Sequence, residues 1–293
     1  MLAHLRSIFV GIFISFVLVS CSSVTNEYAQ NTNMNGTVEK PLATESGSYL
    51  PRSVDSEGKR LQKFFLPIVM YHYVEEVKDK NDKGRINLSV HPKTFEGELK
   101  SLQAAGYTSY FVRDIPELFA GTMKLEKKSI SLTFDDGYED FYTDVYPLLK
   151  KYHMRGTLYV INDRVNTPDY VTLDQLKEMI QSGLVEIGGH TLDHKNLQYA
   201  SQKVATEQIV ESKKRLEKDL GITLESFAYP YGGFQPKVTE KIVKDAGYKV
   251  AVSVDKGTFH TPEKLFTLYR LRAGMFTPEN IVGSLNMLER GGK

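Results

Sequence analysis

The chain has 293 residues, 41% hydrophobic and 25% charged, a composition that supports a globular domain with a sizeable core and excludes disorder throughout. Lysine and arginine number 37 against 36 aspartate and glutamate, and a net charge of +1 excludes the polyelectrolyte attraction used by nucleic-acid and polybasic membrane binders. No nucleic-acid partner is expected, and a neutral glycan fits that balance. In chain order, His4 and Arg6 first precede an apolar run from Ile8 to Val19. The run is too short and wrongly flanked for a settled membrane span, and it reads as the core of a secretory signal.

That run ends in Leu18-Val19-Ser20-Cys21, which resembles the lipobox at which bacterial lipoproteins are cleaved and acylated on cysteine. Cys21 is the single cysteine of the chain, so no intramolecular disulfide can form, and the residue reads as a lipid carrier. Residues 1–21 are therefore read as a lipoprotein signal, which places the mature protein outside the cell, anchored to the membrane through Cys21. Residues 22–62 are rich in Ser, Thr, Asn, Glu and Gly, with no sustained periodicity, and read as a flexible tether. A coil of that length has a root-mean-square span of ~35 Å.

From residue 63 to 293, short apolar runs alternate with amphipathic helical patterns. The strand candidates are Phe65 to Tyr71, Ser129 to Phe134, Gly156 to Ile161, Leu184 to Ile187, Ser226 to Tyr229, Tyr248 to Val252 and Leu268 to Leu271. Between them the helix over Thr172 to Ser182 is the clearest. Thr172 and Gln175 have capping-box spacing, Leu173, Leu176, Met179 and Ile180 make the stripe, and Gly183 is the stop. Helices are also expected at Phe95 to Ala105, Glu139 to His153, Gln202 to Leu220, Lys237 to Ala246 and Pro278 to Leu288, with Gly106, Gly221 and Gly247 as C-terminal caps. Repeated strand-helix order predicts an α/β fold with about seven parallel strands curled into a (β/α) barrel, whose function sits at the C-terminal strand ends.

Polar residues gather at those ends. The strand Ser129 to Phe134 delivers Asp135-Asp136-Gly137, and two adjacent carboxylates are tolerable where a cation or proton neutralises one. Asp-Asp-Gly is also ordinary turn chemistry. Next, Gly188-Gly189-His190-Thr191-Leu192-Asp193-His194 carries two histidines at i and i+4, the spacing that puts two imidazoles on one face of a helical turn. Thr191 stands where the HExxH metalloproteases carry glutamate, so a base must come from elsewhere, and Asp135 or Asp136 can supply it. One aspartate plus two histidines leaves a coordination position open for water, the pattern of catalytic zinc. Finally, Phe227-Ala228-Tyr229-Pro230-Tyr231-Gly232-Gly233 reads as a rigid loop whose backbone can approach a ligand.

Together, Thr133-Phe134-Asp135-Asp136-Gly137, His190-Thr191-x-x-His194 and Tyr229-Pro230-Tyr231-Gly232 resemble, in order and separation, the successive motifs of the polysaccharide deacetylase family, the NodB-homology carbohydrate esterases. The resemblance implies a distorted (β/α) barrel that removes acetyl groups from glycans with zinc, or with cobalt or nickel in its place. It implies that Asp136, His190 and His194 bind the metal, that Asp135 is the general base for the attacking water, and that the Tyr231 backbone N–H serves the oxyanion. Common members carry an arginine, paired with the base aspartate, where this chain has Ala228. Arg270 and Arg272 are candidates to replace it, and Arg272 is counted with the catalytic set. The usual C-terminal Leu-x-His motif is not evident, and His260, followed by Thr-Pro, reads as a loop residue.

Leu66-Pro67-Ile68-Val69-Met70-Tyr71-His72 places a histidine at the exit of the first strand. With Ala-Tyr-Pro-Tyr-Gly, this segment resembles the intercellular-adhesion branch that deacetylates the biofilm polymer poly-β-1,6-N-acetylglucosamine. That likeness makes His72 the general acid, N-acetylated polysaccharide the substrate, and polysaccharide export machinery a candidate partner. A lone histidine after an apolar strand is otherwise a packed core residue, and His91 and His153 read as surface or structural. Peptidoglycan, chitin oligosaccharide and O-acetylated xylan remain alternative substrates, and a non-catalytic glycan-binding module is the alternative of another class. Retention of Asp135 beside a full ligand set argues against the module.

Overall fold

The computed structural model describes residues 62–291. The signal at 1–21, Cys21 and all but the last residue of the tether lie outside the described residues. Seven parallel strands form a closed barrel: β1 Ile68–Tyr71, β2 Ser129–Phe134, β3 Gly156–Val160, β4 Val185–Gly189, β5 Ser226–Ala228, β6 Val250–Lys256 and β7 Leu268–Arg272. Each strand pairs with its neighbour in sequence, and Leu271 of β7 returns to Val69 of β1 to close the ring. Every expected strand is present.

Strand alternation divides the side chains into two apolar clusters. Outward residues such as Val69, Ile130, Leu132, Leu158, Ile187, Phe227 and Leu271 pack against the helical layer. Inward residues Ile68, Tyr159, Ala228, Val250, Val252 and Leu268 join Phe64, Leu66, Ile115, Leu118 and Phe119, which close the barrel below the first strand. The interior is thus a packed core below and a polar cup above, and the cup opens where the strands end.

The helices follow from local signals. Pro at the first turn, with the His91 ring Nδ1 accepting from the Lys93 N–H at 3.1 Å, starts α1 (Pro92–Ala104). The reciprocal Thr172–Gln175 box starts α3 (Leu173–Gln181), which buries Leu176 and Met179. Gly221, at φ 69°, ends α4 (Gln202–Leu220), while α5 spans Val238–Asp245 and α6 spans Ile281–Gly291. The expected Glu139–His153 helix differs: residues Phe141–Val145 form a π-helical turn before α2 (Tyr146–Tyr152). Pro147 has no N–H to give to the carbonyl four residues back, so the ladder changes register ahead of it.

Several short elements escaped the periodicity reading because two to six residues carry none. These are the helices Lys83–Leu88 and Ile115–Ala120, the strand Thr108–Ser109 beside β2, and the pair Tyr73–Val74 with Ser89–Val90. Phe64–Phe65 pairs antiparallel with Phe259–His260. That pairing corrects the loop reading of His260: its ring is fully buried and its Nε2 donates to the Leu66 carbonyl at 2.9 Å. Burial drops its pKa to about 4, so it is a neutral packing residue at neutral pH.

Candidate active site

The two carboxylates after β2 face different partners. Asp135 lies inside the cup, where Arg270 donates to both of its oxygens, Nη1 to Oδ1 at 2.7 Å and Nη2 to Oδ2 at 2.8 Å. Arg270 is itself buried and held by the Ser253 carbonyl at 2.8 Å and the Thr133 hydroxyl at 3.2 Å. Burial alone would raise the Asp135 pKa, but the adjacent guanidinium overrides it and keeps the carboxyl below the usual range. Its carboxyl is therefore ionised and rigidly oriented.

The counted Arg272 does not make this pair. Both arginines are inward by strand alternation, but Arg270 sits one layer deeper, level with Asp135. Arg272 ends β7 at the rim, exposed, and lines the cleft. Sequence spacing could not separate two residues that share a face.

Asp136 has φ 80°, a left-handed conformation rare outside glycine, and it turns the second carboxylate away from the first. Its Oδ1 lies 3.3 Å from His190 Nε2 and 3.2 Å from His194 Nε2, yet it makes no hydrogen bond although fully buried. His190 Nδ1 donates to the Ala228 carbonyl at 2.8 Å, which leaves the Nε2 lone pair aimed at Asp136. Burial disfavours an imidazolium at His190, but Asp136 reverses that and lifts its pKa above the ordinary value. Asp136 in turn is held well below the carboxylate range by the two rings, against its own burial.

The histidines reach this point without a helix. Residues 190–200 form a loop, and positive φ at Thr191 (67°) and His194 (68°) brings the rings together at 5.0 Å between centroids. The i,i+4 spacing was the right signal with the wrong geometry behind it. The preceding glycines have a steric reason: a Cβ on Gly188 would sit 2.5 Å from the Tyr159 ring, and one on Gly189 would sit 2.2 Å from the Tyr248 hydroxyl. Four non-glycine residues at positive φ, Asp136, Thr191, His194 and Tyr231, thus gather in one place, a concentration of strain typical of functional sites.

Tyr231 is the third motif's contribution. In the Pro230–Gly232 turn, Gly232 donates to the Tyr229 carbonyl at 2.8 Å and Gly233 to the Pro230 carbonyl at 2.9 Å, and neither bond uses the Tyr231 N–H. Its ring packs on His194, 4.4 Å between centroids. His72, at the exit of β1, borders the same cleft of about 510 Å³, together with Met70, Tyr138 and Val254. Burial lowers the His72 pKa against the pull of Asp135 and Asp136. The site residues expected from sequence therefore converge on one cavity, Arg272 at its rim. Sequence reasoning missed Thr133 and Ser253, which hold Arg270, and the Ala228 carbonyl, which orients His190. Their signal was only inward alternation on strands.

Asp136, His190 and His194 present ligand atoms within 4.8 Å of one another. A buried carboxylate oxygen without a hydrogen bond, facing two imidazole nitrogens with a set tautomer, is an environment that fits a divalent cation.

The fold and this cleft define a parallel (β/α)-barrel enzyme with an arginine-locked aspartate beside an Asp-His-His cluster at the strand ends. The polysaccharide deacetylase family profile matches residues 122–251. YxkH of Bacillus subtilis strain 168, which carries a polysaccharide deacetylase name, is 30% identical over 207 residues, 71% of either chain. The poly-β-1,6-N-acetyl-D-glucosamine N-deacetylase of Staphylococcus aureus strain MSSA476 is 27% identical over 74% of this chain and 82% of its own. The Streptococcus pyogenes deacetylase PplD, solved in complex with acetate, superposes with a TM-score of 0.70 at 31% identity, over 76% of this chain and 98% of that one. The chain belongs to the polysaccharide deacetylase family, hydrolases that act on carbon–nitrogen bonds other than peptide bonds.

Proposed function

We propose that this protein removes N-acetyl groups from an exported polymer of N-acetylglucosamine, with poly-β-1,6-N-acetylglucosamine of biofilms as the substrate and a divalent metal, zinc, as cofactor. The observation that carries the reading is the pairing of Asp135 with buried Arg270 beside Asp136, His190 and His194 in one open cleft. The S. aureus relative, which acts on the β-1,6 polymer by name, supports the choice of glycan.

Asp136, His190 and His194 hold the metal, which when bound polarises the acetyl carbonyl and acidifies water. Asp135 takes the proton from the attacking water, and Arg270 keeps its lone pairs oriented and its charge in place. The Tyr231 N–H donates to the oxygen that becomes negative as the carbonyl carbon turns tetrahedral, a contribution of ~3 kcal/mol where such donors have been removed. His72, on the opposite wall, gives a proton to the departing sugar nitrogen, so the amine leaves neutral and acetate remains. Arg272 at the rim faces the incoming glycan.

The test is release of acetate and free amine from a β-1,6-linked N-acetylglucosamine pentamer by zinc-loaded protein. Asp135→Asn and a chelated sample serve as controls. Loss in both controls supports the reading. Release only from β-1,4-linked oligomers, peptidoglycan or acetylated xylan moves the substrate, and no release from any of them leaves a glycan-binding module. The reading also places the mature chain outside the cell, held at the membrane by lipid on Cys21 and working beside export machinery. Incorporation of labelled palmitate that disappears in Cys21→Ala tests the anchor.

A further inference from the structure

Beyond the reacting centre lies a second, wider depression of about 610 Å³, bordered by Asp193, His194, Lys195, Asn196, Tyr199 and Tyr231. His194 and Tyr231 border this groove and the catalytic cleft alike, so the two are continuous. Among the described residues only two aromatic side chains are exposed, Tyr199 at 81% and Tyr231 at 66%, and both stand on this groove. Scattered exposed apolar residues need no explanation, but two large rings converging beside a catalytic centre do.

The loop that presents Tyr199 is also held firmly. The Gln208 side-chain oxygen accepts from the Leu192 and Asp193 N–H groups at 3.1 and 3.3 Å. The Gln235 side-chain amide donates to the Ala200 and Leu197 carbonyls at 2.7 and 3.3 Å. Leu197 and Ala200 are buried on either side of the exposed Tyr199. Two amides from α4 and from the stretch before α5 thus pin the backbone while the tyrosine ring projects, an arrangement in which little entropy is lost when a ligand settles on it.

We propose that this groove is a sugar subsite in which Tyr199 and Tyr231 receive the pyranose unit next to the one being deacetylated. Tyr199 then acts as a specificity residue for chains over single sugars. A pyranose offers an apolar C–H face to an aromatic ring and hydroxyls at its edge, and Asp193, Lys195 and Asn196 supply polar partners for that edge. The proposal rests on the deacetylase reading above and adds to it the direction in which the polymer lies, from the Asp135 cup across His194 toward Tyr199.

The experiment compares wild type, Tyr199→Ala and Tyr199→Phe on the β-1,6-linked pentamer by steady-state kinetics. Direct calorimetric titration of the same pentamer into the Asp135→Asn protein, with and without Tyr199→Ala, accompanies it. The expected result is a KM raised about three- to tenfold by Tyr199→Ala, the range for losing one aromatic contact, with most of it restored by Tyr199→Phe. The dissociation constant shifts in parallel. An unchanged KM and dissociation constant overturns the subsite, as does a fall in kcat alone. If wild type releases no acetate from any glycan, the deacetylase reading fails while the titration still decides the groove: weaker binding in Tyr199→Ala keeps it as a glycan site, and indifferent binding removes it.

Discussion

Replacing Arg270 with methionine removes the cation but keeps much of its buried volume, and leaves Asp135 enclosed without a partner. Two short charge-assisted hydrogen bonds disappear, and neither residue is open to water. Breaking a buried pair in this way costs about 3–5 kcal/mol. With a urea m-value of ~3 kcal/mol/M for a domain this size, the midpoint falls by about 1–1.7 M. The loss depends on pH in a definite direction. In wild type the Asp135 pKa is depressed, so its contribution is present above the unfolded value of about 3.9 and is lost only as pH falls through the folded value. In Arg270→Met burial is opposed only by the weaker pull of the His190 and His72 rings, so the folded pKa rises above about 3.9 and stability drains away as pH climbs from there. The two proteins should therefore be closest near pH 4 and furthest apart near pH 8. The assay is urea unfolding of metal-free protein at both pH values, with Arg270→Met/Asp135→Asn as the neutral pair that recovers most of the loss. A deficit under ~1 kcal/mol, or one identical at the two pH values, refutes the account of Asp135 as a guanidinium-stabilised buried anion.

Other substitutions separate the remaining roles. His194→Ala removes one of three clustered ligands, so zinc content after dialysis should fall to a small fraction of wild type while the melting temperature of the metal-free protein barely moves, since that ring is partly exposed. His72→Gln should retain zinc and lower kcat by about 10²–10⁴, and a smaller effect with full metal content removes it as the proton donor. Glu98, inside the helical layer with only the Tyr71 hydroxyl at 2.8 Å as partner, has its pKa lifted by burial to about 7. A carboxyl raised in the folded state favours folding below its unfolded pKa and stops doing so as pH rises. Glu98→Gln should therefore gain about 3 kcal/mol over wild type at pH 8 and almost nothing at pH 4, read by denaturant unfolding.

The barrel was legible because each strand is a short, mostly apolar run followed by turn residues and a helix pattern, and Gly221 and the Thr172–Gln175 box mark their helix ends without tertiary help. Asp135, Asp136, His190 and His194 were legible because all lie within five residues of a strand's C-terminal end, so location and chemistry coincide in the sequence. What failed had no local signature. Arg270 and Arg272 share one face of β7, and only depth in the barrel separates the partner of Asp135 from a residue at the rim. His260 looks like a loop residue beside Thr-Pro, and it is buried because Phe64 and Phe65, nearly two hundred positions earlier, pair with its strand. Tyr199 shows no periodicity at all, and its exposure depends on amides contributed by Gln208 and Gln235.

The Arg270–Asp135 pair spans 135 positions of sequence, yet β7 stands two strands from β5, where common relatives keep their arginine. A closed ring makes such a relocation cheap, because any inward position at the same height projects toward the same axis. An arginine on one stave of the cask can reach the same carboxylate as an arginine on another. Position 228, an alanine in this chain, packs in the core and contributes its carbonyl to His190. Position-by-position comparison would score Ala228 as decay of the active site. The equivalent unit in this architecture is the layer rather than the motif, and inventories of inactive members that count missing motif residues should first search the other strands at that height.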